Sequence, residues 1–179
     1  CIPYGLKYDQ FTRNKAILYN SKLIYSQMDE KIKKKTDLKI LNLNDRNFLK
    51  KKLMVDYPNI KIIDEKLKLR NIMFNYNFFI HFFISTPFYE CMYFNKPSIL
   101  IIDRRILFWQ LKPGIEEFFK KYKNIIFFYS CDEATKFIKN IDLEKWWNSK
   151  SVQLMRKEFC DQFCSDSSEF MQKLNRIII

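Results

Sequence analysis

The sequence predicts an α/β fold in which a parallel sheet carries helices on both faces. Three observations lead there. Short apolar runs and segments of helical spacing alternate through the middle of the chain, the order expected of strands joined by crossover helices. Two of those runs, Asn77–Ile84 and Ser98–Ile102, are apolar almost throughout, which fits strands buried on both faces. The chain is 47% hydrophobic and 17% aromatic, enough for a packed core and too apolar for a disordered segment.

Each element has a local reason. Ile17, Ile24, Met28 and Ile32, with Leu18 and Tyr25 beside them, recur at helical spacing and predict one helix over Ala16–Lys35. Leu38–Leu43 reads as a strand. Asn44 or Asp45 caps a short helix over Asn47–Val55, which stops before Tyr57-Pro58. Ile60–Ile63 is a second strand and Leu67–Asn75 a helix. The third strand, Asn77–Ile84, runs into Ser85-Thr86 and a short helix carrying Glu90. Asn95-Lys96-Pro97 then leads into the fourth, Ser98–Ile102. Pro113 suits the first turn of a helix reaching Tyr122. Ile125–Tyr129 is the fifth strand. Ser130 or Asp132 caps a helix over Glu133–Asn140, and Asp142 caps a short one carrying Trp146 and Trp147. A long final helix runs from about Ser151 to about Leu174.

The organisation expected is a lead-in and helix over residues 1–35, a sheet domain over 36–145 and a helical extension over 146–179. The chain opens on Cys1 with no initiator Met, which points to a piece of a longer protein or a processed product. Lys7, Asp9 and Arg13 break up any apolar run near the start, so no signal peptide is read. The most apolar stretch, Phe78–Ile84, is far shorter than the roughly 20 residues a bilayer crossing needs.

The net charge is +12, from 32 Lys and Arg against 20 Asp and Glu. Charge of this size attracts nucleotide phosphate, anionic glycan, anionic lipid or nucleic acid. A composition heavy in Lys, Asn, Ile, Phe and Tyr also follows from AT-rich coding, whatever the function. Lys31–Lys35 and Lys50–Lys52 fit solvated helix faces or ends. No interleaving of basic and aromatic residues marks an RNA-binding sheet.

Several chemistries are excluded outright. Gly5 and Gly114 are the only glycines, so neither a G-x-G-x-x-G dinucleotide loop nor a P-loop can be built. No G-x-S-x-G elbow and no kinase signature occurs. The five cysteines, at 1, 91, 131, 160 and 164, are odd in number and widely spaced, which fits free thiols rather than a disulfide framework. Cys160 and Cys164 share a helix face, but a metal would need two more ligands. The only histidine, His81, lies inside the third strand and reads as a hydrogen-bonded core residue. No metal and no cofactor is therefore expected.

What remains is the junction after the third strand. Ser85 and Thr86 stand where ligands bind in open α/β sheets, outside the carboxyl ends of the strands. A helix start there offers amides and a positive dipole end to phosphate. Glu90, one turn on, can accept hydrogen bonds from a pair of sugar hydroxyls. Asp103, Arg104 and Arg105 follow the fourth strand and could face the same crevice. Ser85 and Thr86 fit simple helix caps equally well, and Arg104 and Arg105 fit surface ion pairs. Trp146 and Trp147 fit anchors for the terminal helices, and Arg156 a helix-face position.

From Leu38 to about Asp166 the chain resembles the C-terminal half of bacterial surface-polysaccharide transferases of the GT-B glycosyltransferase type, and in particular a transferase family first defined from a Leptospira member. The resemblance rests on Ser85-Thr86-Pro87-Phe88-Tyr89-Glu90, Asn95-Lys96-Pro97, Trp146-Trp147, Val152-Gln153, Arg156 and Phe159, in that order and spacing. Pro87 departs from the pattern, which carries another hydroxyl there, and no Tyr-Gly-Trp-like segment occurs near Leu43–Phe48.

The resemblance implies a Rossmann-like sheet that holds a nucleotide-diphosphate sugar donor. Ser85 and Thr86 would bind the diphosphate, Glu90 the ribose hydroxyls, and Arg104 or Arg105 would offset the leaving group's charge. It also implies a glycan or lipid-linked glycan acceptor held by an N-terminal domain of the same protein. A cytoplasmic location follows, with contact at the inner face of an anionic membrane. Two alternatives stand beside this: a non-catalytic domain that kept the fold, and a basic nucleic-acid-associated module.

Overall fold

The computed structural model describes residues 10–40, 46–64, 66–102 and 113–164. Among these the elements run α1 (Gln10–Gln27), α2 (Glu30–Lys33), β1 (Asp37–Leu38), α3 (Arg46–Asp56), β2 (Lys61–Ile62), α4 (Leu69–Ile72) with a 3₁₀ turn at Met73–Asn75, and β3 (Phe79–His81). There follow α5 (Thr86–Tyr93), β4 (Ser98–Ile101), α6 (Pro113–Lys121), β5 (Phe127–Phe128), α7 (Cys131–Asn140), α8 (Leu143–Trp147) and α9 (Lys150–Phe163).

All strand pairing is parallel, as expected of crossover connections, but it forms two ladders rather than one sheet. β1 pairs with β2, Leu38 opposite Ile62. β4 lies between β3 and β5, with Ile80 opposite Ile99 and Leu100 opposite Phe127. The start of β3 is tied to the start of β1 by the Tyr76 hydroxyl, which donates to Asp37 Oδ2 at 2.6 Å. The order is β1-β2 in one ladder and β3-β4-β5 in the other, with β4 central. Among the described residues no strand pairing joins the two ladders.

The alternation within β4 sets the layers. Leu100 and Ile102 face Phe88 of α5, Phe118 and Phe119 of α6 and Phe159 of α9. Ile99 and Ile101 face Ile24 of α1 and Cys131 and Ala134 of α7. Every residue of β4 is buried, so helices cover both faces, as the unbroken apolar run predicts.

Several boundaries differ from expectation, each for a local reason. The single helix over Ala16–Lys35 is two. The Ser26 hydroxyl turns back onto Leu23 O at 2.8 Å, and Asp29 takes an extended conformation before α2. The Leu67–Asn75 helix tightens to a 3₁₀ turn for its second half. The third and fifth strands are shorter than their apolar runs, because pairing stops at His81 and begins only at Phe127, while the later part of the Leu38–Leu43 run and the Asn44 or Asp45 cap lie outside the described residues. The last described helix ends at Phe163 with Cys164 as its cap, and the stretch predicted to run on to Leu174 lies outside the described residues. It also starts one residue before Ser151, because Ser149 accepts from the Val152 amide. Asp142 caps α8 as expected, and of the two candidates for α7 it is Ser130 that accepts the Glu133 amide, at 3.2 Å. Ser130→Ala should therefore cost about 1 kcal/mol, measured by urea unfolding.

Among the described residues no helix is long and apolar enough to cross a membrane, and no group of three His, Cys, Asp or Glu could hold a metal. Of the described cysteines, Cys91 and Cys131 are buried and Cys160 and Cys164 lie half-buried on α9 and at its cap.

Candidate functional site

α5 carries three of the nominated residues. Phe82–Ile84 separate the end of β3 from Ser85, which takes the extended conformation of an N-cap (φ −151°, ψ 161°). Its carbonyl accepts from Phe88 N at 2.9 Å and Tyr89 N at 3.2 Å, but its hydroxyl caps no amide. Ser85 thus holds the cap position without spending its side chain on the cap. Pro87 has no N–H and the Phe88 amide is taken, which leaves the Thr86 amide as the one that the first three helical positions can offer an anion. Thr86 itself is exposed.

Glu90 is half-buried one turn beyond Thr86. Burial raises its carboxyl above the ordinary range, while the charges of Arg70 and Lys68 pull it back down. Both cations belong to the α4 region, so the Thr86–Glu90 side of α5 looks onto α4. Arg70 Nε is buried with no hydrogen-bond partner. Arg104 and Arg105, with Asp103, lie outside the described residues.

Ser85 and Pro87 also line a cavity of about 840 Å³ in the gap between the two ladders. Leu38–Ile40 stand on one side of it and Phe79–Phe83 on the other. His81 sits in its wall. The ring lies between Phe79, stacked with centroids 6.3 Å apart, and Phe88, edge-on at 5.3 Å. Burial pushes the imidazole down to about 3, so it is neutral at ordinary pH. The residue as a whole is partly buried and lines the cavity. The hydrogen-bonded core role expected for His81 is not met, because Nε2 is buried and has no partner.

The remaining residues of the motif string form a clamp on the far end of α5. Asn95 has φ 54°, a left-handed conformation that asparagine tolerates better than most residues. Asn95 N bonds to Met92 O at 3.3 Å and Lys96 N to Cys91 O at 2.8 Å, the paired bonds of a Schellman stop, with Pro97 just beyond. In a chain this short of glycine, Asn95 takes the glycine position and adds a side chain. Its Oδ1 accepts from Trp147 Nε1 at 3.0 Å and from Gln153 Nε2 at 3.2 Å. Arg156 donates to Met92 O at 3.0 Å and to Gln153 Oε1 at 3.2 Å. Trp146 is an anchor as expected, against Phe78 and Phe137, with its N–H on Ile125 O. Arg156 is more than a helix-face residue, since it seals a carbonyl at the end of α5.

The structure thus brings Ser85, Thr86 and Glu90 to the start and first turns of one short helix, and Asn95, Trp147, Gln153 and Arg156 hold its far end. Sequence reasoning missed Arg70 and Lys68, which carry no motif signal. It also missed the cavity, which depends on two strands not pairing.

A model of the LIC12162 family transferases matches residues 4–178 of the chain. No curated protein and no solved structure matches.

Proposed function

The chain belongs to the LIC12162 family of transferases, and from that membership we propose that it transfers a glycosyl group from a nucleotide-diphosphate sugar, this segment being the donor-binding half. One observation carries the reading. Ser85 stands beyond a parallel strand at the start of α5, its hydroxyl unspent on the cap, and it lines an 840 Å³ cavity between the two ladders.

On this reading Ser85 and the Thr86 hydroxyl and amide hold the diphosphate, helped by the positive end of the helix. Glu90 accepts from the ribose hydroxyls, with the charges of Arg70 and Lys68 opposing the effect of burial on its carboxyl. Arg104 and Arg105 neutralise the departing diphosphate. The acceptor is a glycan or lipid-linked glycan. A domain of the same protein outside this segment supplies its site and the catalytic base. The charge of +12 favours work beside an anionic membrane, on its cytoplasmic side, where nucleotide sugars are made.

The test is calorimetric titration of UDP, CDP, GDP and CMP into the protein and its Glu90→Ala variant. Saturable binding of a nucleoside diphosphate is expected, weakened at least about 10-fold in the variant by loss of the ribose contacts. No nucleotide binding by the folded full-length protein would refute the donor reading.

A further inference from the structure

Cys160 and Cys164 stand one turn apart at the end of α9, and the donor reading uses neither. Among the described cysteines they alone are not buried. Both lie at the edge of the core that α5, α6 and α9 share. Arg156, one turn earlier, completes a row of three on the same helix face.

The three side chains meet at one sulfur. The Cys164 thiol donates to Cys160 Sγ, and the Arg156 guanidinium, which already holds Met92 O and Gln153 Oε1, reaches that sulfur as well. The bond from Cys164 lowers the Cys160 thiol from its ordinary value, burial opposes it, and the Arg156 charge adds to the lowering. Cys164 moves the other way, because it keeps the shared proton and because burial disfavours its charge. Two like residues are thereby made unequal. Cys160 is poised as the thiolate, the nucleophilic form of the side chain, with a protonated thiol beside it.

We propose that Cys160 is a site of reversible oxidation by hydrogen peroxide and that Cys164 resolves it to a disulfide. The Cys160 thiolate attacks one peroxide oxygen, the O–O bond breaks, and the leaving hydroxide takes a proton from solvent to become water. Cys160 is left as a sulfenic acid. The Cys164 sulfur then attacks Cys160 Sγ, the S–O bond breaks, and the hydroxyl departs as a second water with the Cys164 proton. Two thiols are oxidised and one peroxide is reduced.

The helix end makes the bond reversible. Residues four apart in a helix hold their Cβ atoms about 5–6 Å apart, beyond the roughly 3.5–4.5 Å that a disulfide spans. Closing it therefore opens the last turn of α9, where Cys164 N donates to Cys160 O at 2.8 Å. Cys164 has already left helical conformation (φ −114°, ψ 17°), so it is the residue free to swing. A disulfide formed against the helix is strained, and strained disulfides are readily reduced. The same step removes the thiolate from Arg156, whose other bond holds the far end of α5. None of this depends on the donor reading.

The experiment exposes the reduced full-length protein to hydrogen peroxide, alkylates the remaining thiols in denaturant, and maps the tryptic peptide 158–173, which holds both cysteines. This peptide is expected to escape alkylation and to be lighter than the dithiol by two hydrogens, at a dose that oxidises Cys91 and Cys131 at least about 10-fold less. Dithiothreitol should restore both thiols. In Cys164→Ser, dimedone should trap a sulfenic acid at Cys160, and in Cys160→Ser, Cys164 should stay reduced at the same dose. Circular dichroism confirms that each variant is folded. A peptide that keeps both thiols, a disulfide between two molecules in place of the internal one, or dimedone on Cys164 in Cys160→Ser each overturns the inference.

Discussion

Between pH 6.5 and pH 3 the wild-type protein is expected to lose about 4 kcal/mol more stability than His81→Phe does. The reason is the imidazole in the cavity wall, whose folded-state value is pushed from 6.5 to about 3 by burial. The sign follows from where the proton binds. Above pH 6.5 the ring is neutral in both states and contributes no pH dependence. As the pH falls through 6.5 the unfolded chain takes up a proton that the folded protein refuses, so unfolding is progressively favoured. The loss levels off near pH 3, where the folded ring also protonates. Every tenfold drop in proton affinity on folding is worth about 1.4 kcal/mol, which sets the size. Urea unfolding of both proteins across this range measures it, the carboxylates being common to both. At neutral pH, His81→Phe should be the more stable of the two by about 1–2 kcal/mol, since it removes an orphaned nitrogen and keeps the rings packed. A pH dependence unchanged by His81→Phe would mean that the ring is solvated.

Trp147→Ala should destabilise the protein by about 4 kcal/mol, a large share of the roughly 5–15 kcal/mol that holds a domain of this kind together. The indole is 3% exposed in the core that α5, α6 and α9 share, and its N–H reaches both Asn95 O and Asn95 Oδ1. Alanine leaves a cavity and strips the Schellman stop of its main support. Trp147→Phe separates the two effects. It keeps most of the volume, loses only the donor and leaves Gln153 on Asn95 Oδ1, so about 1–2 kcal/mol is expected. Both are read from denaturant midpoints, and a Trp147→Ala cost below that expected for Trp147→Phe would show that the indole is not embedded as described.

The order of elements, the parallel pairing and the two-faced burial of β4 were legible in the sequence because each depends on local periodicity. The caps at Asp142 and Ser130 were legible for the same reason. The break before α2 was not, because the apolar spacing runs through Asp29 without interruption. The split into two ladders was not either. Strand pairing is a long-range choice, and the runs Leu38–Leu43 and Asn77–Ile84 look no less able to pair than the others. At the site, Ser85, Thr86 and Glu90 could be nominated by position after a strand. The Arg70 and Lys68 charges beside Glu90 arise only when α4 packs on α5. The orphaned nitrogen of His81 was not legible, because a histidine inside an apolar run looks the same whether or not its nitrogen finds a partner.

The clamp on α5 also has a kinetic side. Asn95 and Trp147 are 52 positions apart, and Met92 and Arg156 are 64 apart. Closing loops of such length costs on the order of 3 kcal/mol in chain entropy before any contact is made, so these bonds form after the local ones. During synthesis α5 and its neighbouring strands leave the ribosome before Trp147 exists. Until α8 and α9 arrive, Met92 O lacks its Arg156 donor and Asn95 Oδ1 its Trp147 and Gln153 donors, so the far end of the helix that carries Ser85, Thr86 and Glu90 is held by its local Schellman bonds alone. The helix that carries Ser85, Thr86 and Glu90 is thus set in place only once α8 and α9 have been made, which couples its anchoring to their synthesis.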